Sequence, residues 1–223
     1  YVEMITLGNA IDWADLTYTV FNSAAVSNGT RGITGGGAGN PAYLNTMEYL
    51  TFTSVGSMKD FGDLTAISGN GSKTGCQSTT RGVFPYRSTS GAEFGGIQYI
   101  TMASTGNAEF FGELVNTGAA YSGCSNSIRG IMGTGTPGIA DIEYITIATT
   151  GNALDFGDLT AARRDIAAAS SPTRALFCGG DTPTIVNTID YVEILTTGNA
   201  VDFGDQTVSR DRVSGCSNGH GGL

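Results

Sequence analysis

The sequence predicts an all-β fold: a single five-bladed β-propeller of four-stranded antiparallel blades, closed into a ring by N- and C-terminal strands that share one blade. Three observations carry this reading. A register recurs five times: Tyr1, Tyr49, Tyr99, Tyr144 and Tyr191 are each followed seven residues later by Gly8, Gly56, Gly106, Gly151 and Gly198. The Tyr-to-Tyr steps of 48, 50, 45 and 47 mark a repeat architecture with a period near that of propeller blades. Short runs that alternate with period two, broken by Gly and Asn, mark strands and hairpins. Finally, the two ends of the chain are complementary parts of one repeat.

Each repeat divides into four runs, a to d. The copy at 163–205 shows them well. Residues 166–170 (IAAAS) form a run of small residues, and 174–180 (RALFCGG) an apolar run ended by two glycines. Residues 188–196 (TIDYVEILT) alternate, and 200–205 follow a Gly198-Asn199 tight-turn signal. In run c, Val192 and Ile194 share one side, while Tyr191, Glu193 and Leu195 share the other. Both sides carry apolar residues, as expected of a strand covered on both faces in stacked blades.

Run a is small in every copy: Ala25, Gly75, Gly123, Ala168 and Gly215 at one position, then Val26, Cys76, Cys124, Ala169 and Cys216. The innermost strand of a blade crowds its symmetry mates, and interiors tolerate no overlap. The first ring is therefore expected to face a central channel. The Cys-containing ring is expected to pack between blades, since Cys favours burial.

The chain begins inside run c at Tyr1 and ends inside run b at Leu223. Residues 1–17 lack an a–b pair and 212–223 lack a c–d pair. Together they are expected to form one blade, which removes an exposed sheet edge. The expected organisation is one domain over 1–223. One blade comes from 1–17 plus 207–223, and the others from about 18–65, 66–114, 115–160 and 161–206.

Composition bounds the function. Of 223 residues, 34 are Gly and only five Pro, while 40% are hydrophobic, so the glycines punctuate strands rather than signal disorder. The net charge is −9 and the pI near 4.4. That balance argues against nucleic acid, whose binding rests on Lys and Arg, and against anionic membranes. No apolar run approaches the ~20 residues of a membrane helix. The start at Tyr1 rather than Met is that of a fragment or a processed form, so targeting signals are not read from it.

The four cysteines include no CxxC or Cys/His spacing. They read as small buried residues rather than a disulfide framework or zinc site. The acid pairs Asp12/Asp15, Asp60/Asp63, Asp155/Asp158 and Asp202/Asp205 supply two carboxylates toward calcium, fewer than it needs, without an EF-hand loop. Their expected role is to accept backbone N–H bonds and pair with Arg. Arg31, Arg81, Arg129 and Arg174 open run b, with Gly221 in the fifth place. A ring of arginines could hold an anion, but each is expected to bridge to an acid of its own or the next blade. His220 reads as a turn residue. No nucleophile-elbow, zincin or Walker motif is present, and no cofactor is implied.

The glycine pairs after run b (Gly35-Gly36, Gly95-Gly96, Gly179-Gly180), the Tyr of run c, the Gly-Asn pair and the aromatic of run d (Trp13, Phe61, Phe111, Phe156, Phe203) resemble the kelch repeat. The resemblance covers essentially the whole chain. It departs in usually having Phe rather than Trp in run d and in having five blades, fewer than the usual six or seven. The wording of residues 142–160, IEYITIATTGNALDFGDLT, is similar to repeat segments of marine bacteriophage structural and tail-fibre-type proteins. That resemblance implies a non-enzymatic structural or host-recognition module of a virion, fibre or capsid-associated. Its implied setting is the virion or extracellular space. Its implied partners are other virion proteins or a host-surface glycan or protein, with a homo-oligomer inside a fibre as a further implied arrangement. The alternatives are a soluble glycan-binding lectin and, less favoured, an enzyme using the channel.

Function on a rigid scaffold usually sits in loops. The b–c loops differ most between copies, and Tyr43, Tyr86, Arg87, Phe94 and Asn187 in or beside them are the expected binding residues.

Overall fold

The computed structural model describes residues 1–2, 7–39, 42–54, 56–65, 75–87, 95–116, 121–133, 135 and 137–217. Among these residues there is no helix, and four antiparallel four-stranded sheets follow one another along the chain. The first holds β1 (Ala24–Ser27), β2 (Arg31–Gly35), β3 (Thr46–Thr51) and β4 (Lys59–Asp63) in sequential order. The second holds β5 (Cys76–Gln77), β6 (Arg81–Arg87), β7 (Gly95–Thr101) and β8 (Glu109–Glu113). The third holds β9 (Ser122–Ser125), β10 (Arg129–Gly133), β11 (Asp141–Thr146) and β12 (Leu154–Asp158). The fourth holds β13 (Ala167–Ser170), β14 (Arg174–Cys178), β17 (Thr188–Glu193) and β18 (Val201–Asp205). A small hairpin, β15 (Asp181–Thr182) and β16 (Thr184–Ile185), projects from its b–c loop. The arrangement is propeller-like. The described parts of 1–17 and 206–217 carry no strand.

The cores lie between sheets. Val26, Ile33, Met47 and Phe61 of the first sheet pack with Phe84, Ile100 and Met102 of the second. Cys76, Val83, Ile97 and Phe111 meet Met132, Ile145 and Ile147 of the third. Cys124, Ile131, Ile142 and Phe156 meet Phe177, Val192 and Ile194 of the fourth. The period-two pattern of run c decides this, because Ile142 faces one neighbour and Ile145 the other.

The D-F-G segment has a geometric role. In every sheet the c–d register slips at the same step, between Met47/Glu48, Ile97/Gln98, Ile142/Glu143 and Ile189/Asp190. The Phe of strand d is the extra residue of a β-bulge, and its ring meets the Tyr of strand c edge-on, at 5.8–5.9 Å between centroids in all four sheets. The glycine after it is needed because the next sheet lies on it. A Cβ on Gly157 (φ 139°) would sit 2.5 Å from the Gly198 backbone, and one on Gly62 or Gly112 would collide with the Gly106 or Gly151 carbonyl.

The Gly-Asn pair is not the hairpin turn the sequence suggested. The turn lies just before it, closed by Ser104 N–H on Thr101 O. Gly106 and Ala108 instead donate to Phe61 O and Asp63 O of the preceding sheet, at 2.7 and 2.8 Å, and the same two bonds recur at the next two seams. Asn107, Asn152 and Asn199 accept from Asp63, Glu113 and Asp158 N–H. The outer strand edges of the first three sheets are thus covered by the neighbouring sheet.

The small residues of strand a are also paired across seams. A Cβ on Gly75 would run into Val26, and one on Gly123 would lie 3.0 Å from Cys76 Sγ. The crowding arises from one neighbouring side chain rather than from five converging on an axis. Val26 and Cys76 pack equally against Gly82 and Gly130, which explains the Arg-Gly pair opening strand b. All four cysteines are free thiols. Cys76 and Cys124 are buried and Cys178 half-buried, but Cys216, expected inside, is exposed.

Gly112→Ala is expected to cost about 1–3 kcal/mol through overpacking, read as a lower urea midpoint. Gly29→Ala, where a Cβ meets nothing within 4 Å, is the control and should leave the midpoint nearly unchanged.

Candidate functional site

The repeated polar residues join sheets. Arg31, Arg81, Arg129 and Arg174 each stack on the Tyr of their own sheet, 4.5–4.8 Å from the ring centroid. Three of them also cap the next sheet's c–d turn. Arg31 Nη1 donates to Met102 O and Ala103 O, Arg81 Nη1 to Ile147 O and Ala148 O, and Arg129 Nη1 to Ile194 O, at 2.8–3.2 Å. Among the described residues the expected acid partner is found for Arg174, on Glu193 at 2.7 Å, and for none of the other three. Carbonyls at a turn are acceptors already fixed in place, so a planar guanidinium reaches two of them with little further ordering.

A second clasp escaped the sequence reading. The residue before each strand c Tyr is polar and buried: Glu48, Gln98, Glu143 and Asp190. Each accepts bonds from the segment after the preceding repeat's d run. Thr17 binds Glu48 through its N–H and hydroxyl, Thr65 binds Gln98 and Thr160 binds Asp190 in the same way, and Val115 and Asn116 bind Glu143. The signal was available as a polar side chain at one fixed place in an apolar strand. Asp190 also pairs with buried Arg163 at 2.7 Å. Burial pushes the Glu143 carboxyl above its usual range, against the pull of the Val115 and Asn116 donors. Burial likewise raises the Cys76 thiol to about 12 and lifts those of Cys124 and Cys178, so these are protonated packing groups.

Two of the paired acids cap a neighbouring backbone N–H. Asp60 and Asp202 accept from Gly62 and Gly204 N–H at 3.2 and 3.0 Å. Among the described residues no three His, Cys, Asp or Glu side chains are grouped to hold a metal.

The structure scatters the sequence-predicted binding residues. Tyr43 lies in the b–c loop of the first sheet, paired with Ala38, with its side chain 43% exposed. Tyr86, the penultimate residue of β6, is 5% exposed. Its ring lies where a side chain on Gly96 would stand, so it is packing. Arg87 pairs through its backbone with Gly95, and Phe94 lies outside the described residues. Asn187 bonds Gln206 O through Nδ2 at 3.3 Å and accepts from Gln206 N–H at 2.7 Å, tying the b–c loop to the d–a loop. Phe21, in the d–a loop, was missed. It is exposed and pairs with Ala38 from the other side.

A cavity of about 520 Å³ is lined by Ala25, Gly75, Gly123, Ala168 and Gly215 of the innermost segments, and it extends along the first sheet to Leu50 and Met58. Backbone-directed bonds bridge its wall. Ser27 N–H donates to Gln77 Oε1, Gln77 N–H to Ser125 Oγ, and Ser170 Oγ to Ser125 O. Comparison with protein-family models finds no match to this chain, and no curated protein matches it.

Glu143 provides a pH test. A carboxyl whose folded pKa is raised contributes stability that is full below the ordinary carboxylate range and lost as pH rises through the raised value. Between about pH 4 and pH 8, wild-type stability should therefore fall relative to Glu143→Gln, by about 1.4 kcal/mol for every tenfold by which folding tightens the carboxyl's hold on its proton. Urea titrations at several pH values read this, and a constant difference would contradict it.

Proposed function

We propose that the four sheets belong to a five-bladed, kelch-like propeller whose fifth blade is shared by residues 1–17 and 212–223. Four features support closure. Tyr1 and Trp13 meet edge-on at 5.6 Å and 72°, as the Tyr/Phe pairs do within sheets. Met58 N–H donates to Asp15 O at 3.0 Å, repeating the seam bond of Ala108 on Asp63. Arg212 has the positive φ (53°) found at Asn22 (57°) and Asp165 (58°), the residues that lead into β1 and β13. Gly215 lies against Ala168, where a Cβ would sit 2.5 Å from Ala168 O. The outer face of the fourth sheet is the remaining seat, since Phe203 is 53% exposed while Phe61, Phe111 and Phe156 are buried.

We further propose a non-enzymatic recognition module of a virion, carried on a fibre or capsid-associated protein. One observation carries this reading. The repeated Arg, Tyr, Asn and acid side chains are engaged within the scaffold, while unrepeated, solvent-facing side chains such as Tyr43 and Phe21 gather on the loops. Function borne by loops on a rigid frame follows from that division. The virion setting rests on the likeness of the repeat wording to phage structural proteins. The soluble lectin is the second reading, favoured by the exposed aromatics.

Gly215→Leu should destabilise the domain by about 1–3 kcal/mol or more through overpacking. An unchanged melting transition would remove residues 212–217 from the ring. For function, mass spectrometry of purified particles should find the chain, and the isolated domain should bind the host surface. Absence from particles together with retained surface binding would favour the lectin. Failure of both would end the recognition reading.

A further inference from the structure

The recognition reading leaves its contact surface unspecified, and the loops of the first sheet supply one. There the d–a and b–c loops cross through two isolated antiparallel bridges, Phe21–Ala38 and Ala38–Tyr43. Phe21 and Ala38 exchange both backbone bonds, at 3.0 and 2.8 Å. Ala38 and Tyr43 form the adjoining narrow pair, framed by Gly39 N–H on Ala42 O and Leu44 N–H on Gly37 O, both 2.9 Å. Gly37 (φ 106°) permits the crossing, because a Cβ there would lie 2.6 Å from Val20 Cγ2.

Directly opposed residues of an antiparallel pair place their side chains on one face. Phe21, Ala38 and Tyr43 therefore stand in a row, with the outer two about 10 Å apart at Cα. Ala38 is 3% exposed, while Phe21 is 59% and Tyr43 43% exposed. The result is a closed floor flanked by two aromatic rings in solvent. Asn22, the next residue in the chain, is exposed on a left-handed backbone (φ 57°) and carries an amide with both donor and acceptor.

The fourth sheet shows the same crossing used differently. Arg164 and Asp181 exchange the same two backbone bonds, at 3.1 and 3.0 Å. Their side chains then close on each other, Nε and Nη2 donating to Asp181 Oδ2 at 3.1 and 2.7 Å. That pair satisfies itself. In the first sheet, residues 18–23 and 36–45 contain no Asp, Glu, Lys, Arg or His, so two apolar rings are presented without any charge.

We propose that Phe21, Ala38 and Tyr43 form a binding site for an uncharged saccharide. This rests on the recognition reading above. A pyranose has an apolar C–H face that an aromatic ring covers and a hydroxyl edge that a polar side chain can bond, which matches two exposed rings in a loop pair that also carries an exposed Asn22. The uncharged loops offer no partner for a charged ligand, and the net charge of −9 repels an anionic one.

The test is a neutral-glycan array probed with the purified domain, followed by calorimetry with the best oligosaccharide. Wild type should bind. Phe21→Leu and Tyr43→Ala should each weaken binding about tenfold and together abolish it, while Arg164→Ala leaves it unchanged and circular dichroism shows every variant folded. Neutral-glycan binding that survives the double variant would overturn this site while sparing the recognition reading. Binding only to acidic glycans, to a peptide or to a second copy of the chain would overturn the saccharide class. No binding to any array or to host surface would overturn both.

Discussion

The fold depends on the close approach of one sheet's backbone to the bulged outer strand of the sheet before it. At that seam a Gly-Asn segment donates two N–H groups to strand d and accepts a third through the Asn side chain. The contact leaves no room for a Cβ on the D-F-G glycine, as the Gly62, Gly112 and Gly157 positions show. It also requires the bulge, which turns the Phe ring onto its Tyr and into the inter-sheet core. Three such seams repeat with nearly the same distances, so stability is built from nearest-neighbour terms, as in other repeat proteins.

Side chains reinforce the backbone seam in two ways. Each Arg lies over its own Tyr and, at three seams, holds the next sheet's turn. A buried acid or amide of strand c receives the chain that arrives from the sheet before. Burying a carboxylate costs free energy unless donors surround it, and Glu143 and Asp190 each have them. Among the described residues Arg163 adds a counter-charge to Asp190 and to none of the other three, which makes the third-to-fourth crossing chemically distinct. A chain with only 14% charged residues thus spends several of them on joints between sheets.

This division of labour frees the loops. Because the seams are made by backbone and by repeated side chains, the b–c and d–a loops can differ without disturbing the stack. The first and fourth sheets show the latitude: one crossing carries Phe, Ala and Tyr, and the other an Arg–Asp pair, on the same pattern of backbone bonds.

The four-stranded repeat unit, its strand order and the two-sided burial of strand c were legible in the sequence, because period-two alternation and Gly spacing are local properties of the chain. The partners of the repeated polar residues were not. Arg31 reaches a carbonyl 71 residues away, and a carbonyl leaves no mark in sequence, so an acid was the natural but mistaken partner. The small residues of strand a were legible as small, yet their cause, one Val or Cys arriving from the neighbouring sheet, needed the tertiary structure. Tyr86 and Tyr43 read alike as loop aromatics. Only packing separates them, because Gly96 opens a seat that buries Tyr86, while Ala38 sets Tyr43 beside Phe21 at the surface. The sequence by itself determined the four strands of each of the four sheets. Which side chains join sheets and which face solvent was decided by contacts between residues far apart in the chain, and those exist only once the sheets are stacked.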